Sequence, residues 1–364
     1  MIKTIRAMAV ALAFQALLAA NAAAQGSILA KLPASPKRMV STVPANGDVN
    51  PYGVAFVPPG FAGGGRIHTG DILVSNFNNS SNAQGTGTTI VRVSPSGAMH
   101  LFFQGPAGLG LTTALGVLKA GFVIVGNVPT TDGSFATIQQ GSLLILDRSG
   151  NLVSTLSDAT FLNGPWDLTV RDMGSTAQVF VSNVLSGTVT RLDLAVSSAG
   201  VTVVDMVQIA SGYTHRGDPA ALAIGPTGLA YDASRDLLYV ASTGDNEIFS
   251  VANAGTTTSD NGTGNVVYSD NAHLRGPLGL VLAPNGHLIT TNGDAVNGDP
   301  TQPSEMVEFT AHGVFVNQVP VDTGGQGGAF GLAISGNAHN MVLAAVDDIV
   351  NALNVWRITP VKNR

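Results

Sequence analysis

Four short apolar runs in this chain end on asparagine: Ile72–Asn76, Val123–Asn127, Val179–Asn183 and Leu288–Asn292. Two matching runs end on Ser242 and Asp347. Amide, hydroxyl and carboxylate oxygens gathered on one rim suit two kinds of chemistry, coordination of a hard cation such as Ca2+ and hydrogen bonding to a polyol. The segments between the runs add Asp48, Asn50, Asn163, Trp166, His215, Arg216, Asp218, His273, Arg275 and Gln326. The binding candidates are thus Asn50, Asn76, Asn127, Asn163, Asn183, Ser242, Asn292, His215, Asp218 and Arg275, and the adjacent pair Asp347 and Asp348 is the candidate for a divalent cation. Turn chemistry competes at every asparagine, because its side chain bonds nearby backbone and tolerates left-handed conformations.

Other site types find less support. The run Asp294 to Asp299 is rich in oxygen ligands but lacks the closing Glu of a calcium loop, so it reads as a solvated turn. His68, His287, His312 and His339 fall in turns expected on the opposite face, and His100 starts an outer strand. Only His215 and His273 remain, too few for a three-His zinc centre. No Gly-x-Ser-x-Gly elbow occurs, and the absence of Cys excludes a thiol nucleophile, a thiolate metal site and a disulfide frame.

These candidates need elements to hold them, and the chain supplies a repeat. A Gly/Pro turn opens an apolar strand at Asn50–Val54, Thr113–Val117, Gly164–Leu168, Asp218–Leu222, Gly276–Leu280 and Gly328–Leu332. The fourth residues of these phrases are spaced by 63, 51, 54, 58 and 52 positions, enough for four short strands and their turns. Third strands recur, as at Val91–Val93 and Leu144–Leu146, and fourth strands follow in five copies, from His100–Phe103 to Val314–Val321. The sixth copy lacks a fourth strand, and the unpartnered segment Arg38–Val43 is available to complete it. An all-β, six-bladed β-propeller is the expectation, with four antiparallel strands per blade and the last blade closed by the N-terminal strand.

The phrase Leu238-Tyr239-Val240-Ala241-Ser242-Thr243-Gly244-Asp245-Asn246-Glu247-Ile248 resembles the core of an NHL repeat. The Gly-Pro and Asn-Pro blade openings are similar to NHL repeats and to the senescence-marker/gluconolactonase propellers, over roughly Arg38 to Thr359. The lactonase likeness implies a metal site with a Glu at the opening of the first inner strand, where this chain has Asn50-Pro51. Asn163 and Asn183 match the amide ligands that the likeness implies.

The first 24 residues read as a signal peptide: Lys3 and Arg6, an apolar stretch from Met8 to Ala20, then Ala22–Ala24 before a cleavage at Gln25. A linker over 25–37, the propeller over 38–360 and a tail over 361–364 are expected to follow. A periplasmic or secreted location is the expectation, without a membrane span. Without Lys3 and Arg6 the 17 basic residues fall to 15 against 23 acidic ones, a net charge of −8, which argues against nucleic acid as a partner. Two function classes stay open. One is a monomeric binder of a small polar ligand, glycan or protein. The other is a divalent-metal-dependent hydrolase or lyase, with Asp218, Asp347 or Asp348 as acidic ligand and His215 as general base. A structural envelope protein acting through its rim is the weaker third reading.

Overall fold

The computed structural model describes residues 26–321, 324–337 and 340–358. The expected signal peptide, the tail 361–364 and His339 lie outside these residues. Six four-stranded antiparallel sheets form the ring. Strand β1 (Arg38–Ser41) comes first, and blade 1 follows as β2 (Val49–Phe56), β3 (Ile72–Asn78), β4 (Thr89–Val93) and β5 (Met99–Gln104). Blade 2 is β6 (Leu111–Leu118), β7 (Phe122–Asn127), β8 (Ser142–Asp147) and β9 (Leu152–Leu156). Blade 3 is β10 (Pro165–Asp172), β11 (Thr176–Asn183), β12 (Thr188–Ser197) and β13 (Gly200–Ala210). A small hairpin, β14 (Arg216–Asp218) and β15 (Leu222–Ile224), then precedes blade 4, made of β16 (Pro226–Asp232), β17 (Leu237–Ser242), β18 (Glu247–Ala252) and β19 (Asn265–Ser269). Blade 5 is β20 (Pro277–Leu282), β21 (His287–Asn292), β22 (Glu305–Thr310) and β23 (Phe315–Pro320). Blade 6 combines β24 (Ala329–Asn337), β25 (Asn340–Asp347) and β26 (Ala352–Ile358) with β1.

Closure follows the sequence expectation. Arg38 pairs with Val355 and Ser41 with Ala352, so β1 becomes the outer strand of blade 6. Alternating apolar residues on each blade then fill the two neighbouring interfaces. Within β11, Val179 and Val181 pack toward blade 2 while Phe180 packs toward blade 4.

One boundary differs from the sequence reading. The phrase Asp218–Leu222 does not open blade 4; it lies in the β14–β15 hairpin. The blade opens at Gly225-Pro226-Thr227-Gly228-Leu229, which matches the repeat better, and recounting from Gly228 gives spacings of 63, 51, 61, 51 and 52 residues. An inserted hairpin whose own turn carries Pro219 diverted the pattern by one motif.

Each inner strand carries a bulge near its start. There the strands approach almost backbone to backbone. A Cβ on Gly331 would sit 1.9 Å from the Tyr52 carbonyl, and one on Gly228 would sit 2.3 Å from the Leu278 carbonyl. Glycine also occupies the matching positions 53, 116 and 279. Hydroxyls cross the same level from blade to blade: Ser75 Oγ donates to Thr112 O at 2.8 Å, Thr112 Oγ1 to Pro165 O at 2.8 Å, and Thr243 Oγ1 to Pro277 O at 2.7 Å.

The stretch expected as a linker is anchored over its described part. Glu308, wholly buried, accepts from Ser27 Oγ at 2.7 Å, Ile28 N at 2.9 Å and Leu29 N at 2.9 Å, and contacts His287 Nδ1 at 2.7 Å. Ile28 and Leu29 join the core between blades 5 and 6. Glu308→Ala strands these buried donors. It is expected to cost about 2–4 kcal/mol in urea unfolding, and Glu308→Gln less, because it keeps an accepting oxygen.

Candidate functional site

The strand-end side chains face the chain that leads into their own blades. Asn76 Nδ2 donates to Thr42 O at 3.0 Å, Asn127 Nδ2 to Leu109 O at 3.0 Å, Asn183 Nδ2 to Phe161 O at 3.1 Å and Asn292 Nδ2 to His273 O at 2.8 Å. On the other side of two of these amides, Asn163 N and Arg275 N donate to the Asn183 and Asn292 oxygens. All four asparagines are buried. They are clips that tie the incoming loop to the blade, each repeated because every blade has the same loop to secure. Each Nδ2 is given to the backbone of the incoming loop, while Asn76 Oδ1 is buried without a hydrogen-bond partner among the described residues.

The remaining candidates divide in the same way. Ser242 is buried and donates to Asp245, which also accepts from Thr214. Asp218 accepts Ala220 N and Ala221 N and thereby makes the turn of the inserted hairpin. His215 Nδ1 lies 3.0 Å from Tyr213 O. Arg275 is buried against Glu305 at 3.0 Å, and burial raises the Glu305 carboxyl despite Asn292 and that guanidinium. Asp48 accepts three bonds from Thr88 and Thr89. In the oxygen-rich run, Asp294 accepts from Ser304 and Gly327, Asn297 donates to Asn271 O and Leu274 O, and Asp299 closes on Thr301. These side chains turn to separate loops rather than to one ion. Among the described residues no three His, Asp or Glu gather in a metal-binding group.

Two candidates do meet. Asn50 and Asp348 line a cavity of about 310 Å³ on the face that carries these loops, together with Gln326 and Asp294. Sequence reasoning missed the rest: Tyr52, Phe77, Asn78, Asn82, Gln84 and Phe330. The floor is aromatic. Tyr52 stacks on Phe77 at 5.0 Å between centroids, Phe330 lies 4.8 Å from Tyr52, and the fully buried Trp166 meets both Tyr52 and Phe77 edge-on. The inserted hairpin leans over one side, where Gln84 Nε2 donates to Ala220 O at 2.7 Å.

Oxygens around this cavity lack partners. Asn50 Oδ1 and Asn78 Oδ1 are buried and accept no hydrogen bond among the described residues. The cause is local. Asn50 takes a left-handed φ of 58° and gives its N–H to Asn351 Oδ1, while Asn78 spends its Nδ2 on Asn82. Asp347 is buried and accepts Val350 N. Its half-buried neighbour Asp348 makes only backbone bonds among the described residues, and burial, then the Asp347 charge, push its carboxyl up to about 7.

Below the aromatic floor a second cavity of about 280 Å³ runs down the axis, lined by inner-strand residues such as Leu115, Val170, Leu280 and Ile334. Its one acidic lining residue is Asp167, at the repeat position that is glycine in the other five blades. Burial lifts its carboxyl well above the usual range, offset only in part by the N–H groups of Leu168 and Leu229. The departure from glycine was the available signal, and it points to a carboxyl bridging the inner strands of blades 3 and 4.

No protein-family model matches the chain, and no curated protein matches it by sequence. Solved structures do match in shape. A gluconolactonase from Xanthomonas campestris is similar over 90% of this chain and 91% of its own, with a TM-score of 0.53 and 13% identity. Regucalcin from Agrobacterium tumefaciens, a calcium-binding protein, is similar over 88% and 95%, at 0.51 and 13%. A luciferin-regenerating enzyme is similar over 89% and 96%, at 0.51 and 11%. The likeness establishes the class, a six-bladed β-propeller, and at these identities it carries the fold alone.

Both acids have carboxyls raised by burial, so both reverse the pH dependence of an ordinary salt-bridged carboxylate. Because the folded value of Asp348 exceeds its unfolded one, its contribution is fully present below pH 3.8 and is lost as pH rises toward about 7. Over that window the slope reaches about −1.4 kcal/mol per pH unit. Asp348→Asn is expected to flatten the stability profile by this amount in denaturation series from acidic to alkaline pH. Asp167→Asn is expected to stabilise increasingly as pH rises above the ordinary carboxylate range, read as a growing gap in melting temperature.

Proposed function

We propose that this chain is an exported, NHL-like propeller that binds a small polyhydroxylated ligand, such as a sugar or glycan end, in the cavity above its aromatic plug. The observation that carries the reading is the pair of acceptors without partners among the described residues, Asn50 Oδ1 and Asn78 Oδ1, set with the Asp348 carboxyl around a floor of Tyr52, Phe77 and Phe330. Hydroxyl groups supply the donors these oxygens lack, and the ring faces pack against the apolar C–H face of a sugar. Export is supported by the leader-like first 24 residues. The NHL reading rests on the Leu238–Ile248 phrase, and the acidic balance favours neutral or cationic partners over nucleic acid.

The same oxygens favour a second reading, a divalent-metal-dependent hydrolase. Asp348 with the Asn50 and Asn78 amide oxygens would hold a hard cation such as Ca2+, which would polarise a lactone or ester carbonyl when bound. The chain's own part is to orient the substrate on the aromatic floor, with Asp348 spent as an ionised ligand of the cation.

Calorimetric titration with a panel of mono- and oligosaccharides, run with calcium and with chelator, separates the readings. Saturable, chelator-independent binding that falls about tenfold in Asn78→Ala and Asp348→Asn is the expected result. Lactone turnover abolished by chelator favours the hydrolase. Neither binding nor turnover in the unmodified protein removes both.

A further inference from the structure

The opposite face of the ring holds a second concentration of chemistry. On the outer part of blade 1 a concavity of about 330 Å³ is lined by Arg66, His68, Arg92 and His100, with Leu101 and Phe102 behind them. Arg66 and His68 come from the loop between β2 and β3. Arg92 on β4 pairs directly with His100 on β5, which sets both on one side of the sheet. In a chain with more acidic than basic residues, this convergence is not produced by average composition.

The local acid does not exhaust it. Asp71 lies 3.7 Å from Arg92 and 3.6 Å from His68, and it is buried and also bound by His68 N. Arg92 NH1 is spent on Arg66 O and lies 3.4 Å from His68 Nδ1. Arg92 Nε is buried without a hydrogen-bond partner, and no partner is found for its other terminal nitrogen among the described residues. A guanidinium N–H left unsatisfied in this way calls for an acceptor. The Arg66 and His100 side chains are exposed and make no hydrogen bond to protein among the described residues, so their donors face solvent.

We propose that this concavity is a binding site for a tetrahedral oxyanion, phosphate or sulfate, held by Arg66, Arg92 and His100 and oriented by His68. Guanidinium forks match the paired oxygens of such a group, and the surplus positive charge over Asp71 supplies the attraction. The anion can arrive free or carried on a sugar. Both present the same oxygens to the arginines.

Isothermal titration calorimetry of the purified protein, in chloride buffer of matched ionic strength, tests this with inorganic phosphate, inorganic sulfate, a sugar monophosphate and a sulfated disaccharide. One-site binding is expected, weakened at least about tenfold by Arg66→Gln and by His100→Gln. Neither variant removes a contact the fold uses, so circular dichroism should stay unchanged. Tighter binding of the sugar-borne group assigns it to a carbohydrate, and equal binding assigns it to the free ion. No saturable binding of any probe, or binding undiminished in both variants, overturns the proposal. Because the site lies across the ring from Asp348, Asp348→Asn should leave anion binding intact, whichever way the carbohydrate titrations fall.

Discussion

Six inner strands must converge on one axis, and the whole architecture depends on how closely they do so. At the bulge level the approach is so tight that a methyl group on Gly331 or Gly228 would overlap a neighbouring carbonyl. Hydroxyls of Ser75, Thr112, Thr227, Thr243 and Thr291 then satisfy carbonyls of the adjoining blades. Close approach and cross-blade bonding are two aspects of one constraint. Without the small residues the hydroxyls would not reach, and without the hydroxyls those carbonyls would be buried unpaired. Asp167 is tolerated in this ring because its carboxyl takes backbone N–H groups from its own strand and the next.

The same convergence divides the axis. Tyr52, Phe77, Trp166 and Phe330 pack into one cluster with Val184, Leu222 and Leu278. That cluster seals the bore and gives the upper cavity its floor. Placing Tyr52 under polar side chains buries its hydroxyl, and burial with the nearby charges of Asp348 and Asp167 keeps the phenol neutral far beyond ordinary pH. The cavity therefore combines a neutral aromatic base with a rim of amides and one easily protonated carboxyl, an environment suited to uncharged polar molecules.

How much of this was legible in the residues depended on whether a feature repeats. Alternating patterns such as Val179-Phe180-Val181 encode which blade each side chain faces, and the missing sixth outer strand announced that Arg38–Ser41 would fill the gap. The repeated asparagines were equally visible, and their repetition reflects a local task of the Nδ2 groups. A residue present in blade after blade serves what every blade needs, here a clip to the incoming loop at Thr42, Leu109, Phe161 and His273. The cavity takes its rim instead from residues that occur once, Asn78 two positions past the clip and Asp348 one past the strand end, while Tyr52 and Phe330 of its floor share one repeat position with Trp166. The hairpin of 216–224 was misread for a related reason, since its Asp218-Pro219 turn imitates a blade opening. Its overhang above Asn82 and Gln84 depends on long-range packing that local pattern does not encode.

The joining of Arg38 to Val355 has a consequence for how the molecule comes into being. The strand made first finds its partner only when almost all of the chain has been synthesised. Five sheets can assemble in order from local hairpins, but the sixth waits for both extremities. Loop-closure entropy grows slowly with length, so this delay costs little stability, whereas contacts so distant in sequence slow the last step. Until that step, β26 and the inner edges of the first and last blades remain open to other chains. Early capture of residues 27–29 by Glu308 would hold the waiting strand beside the place it must fill.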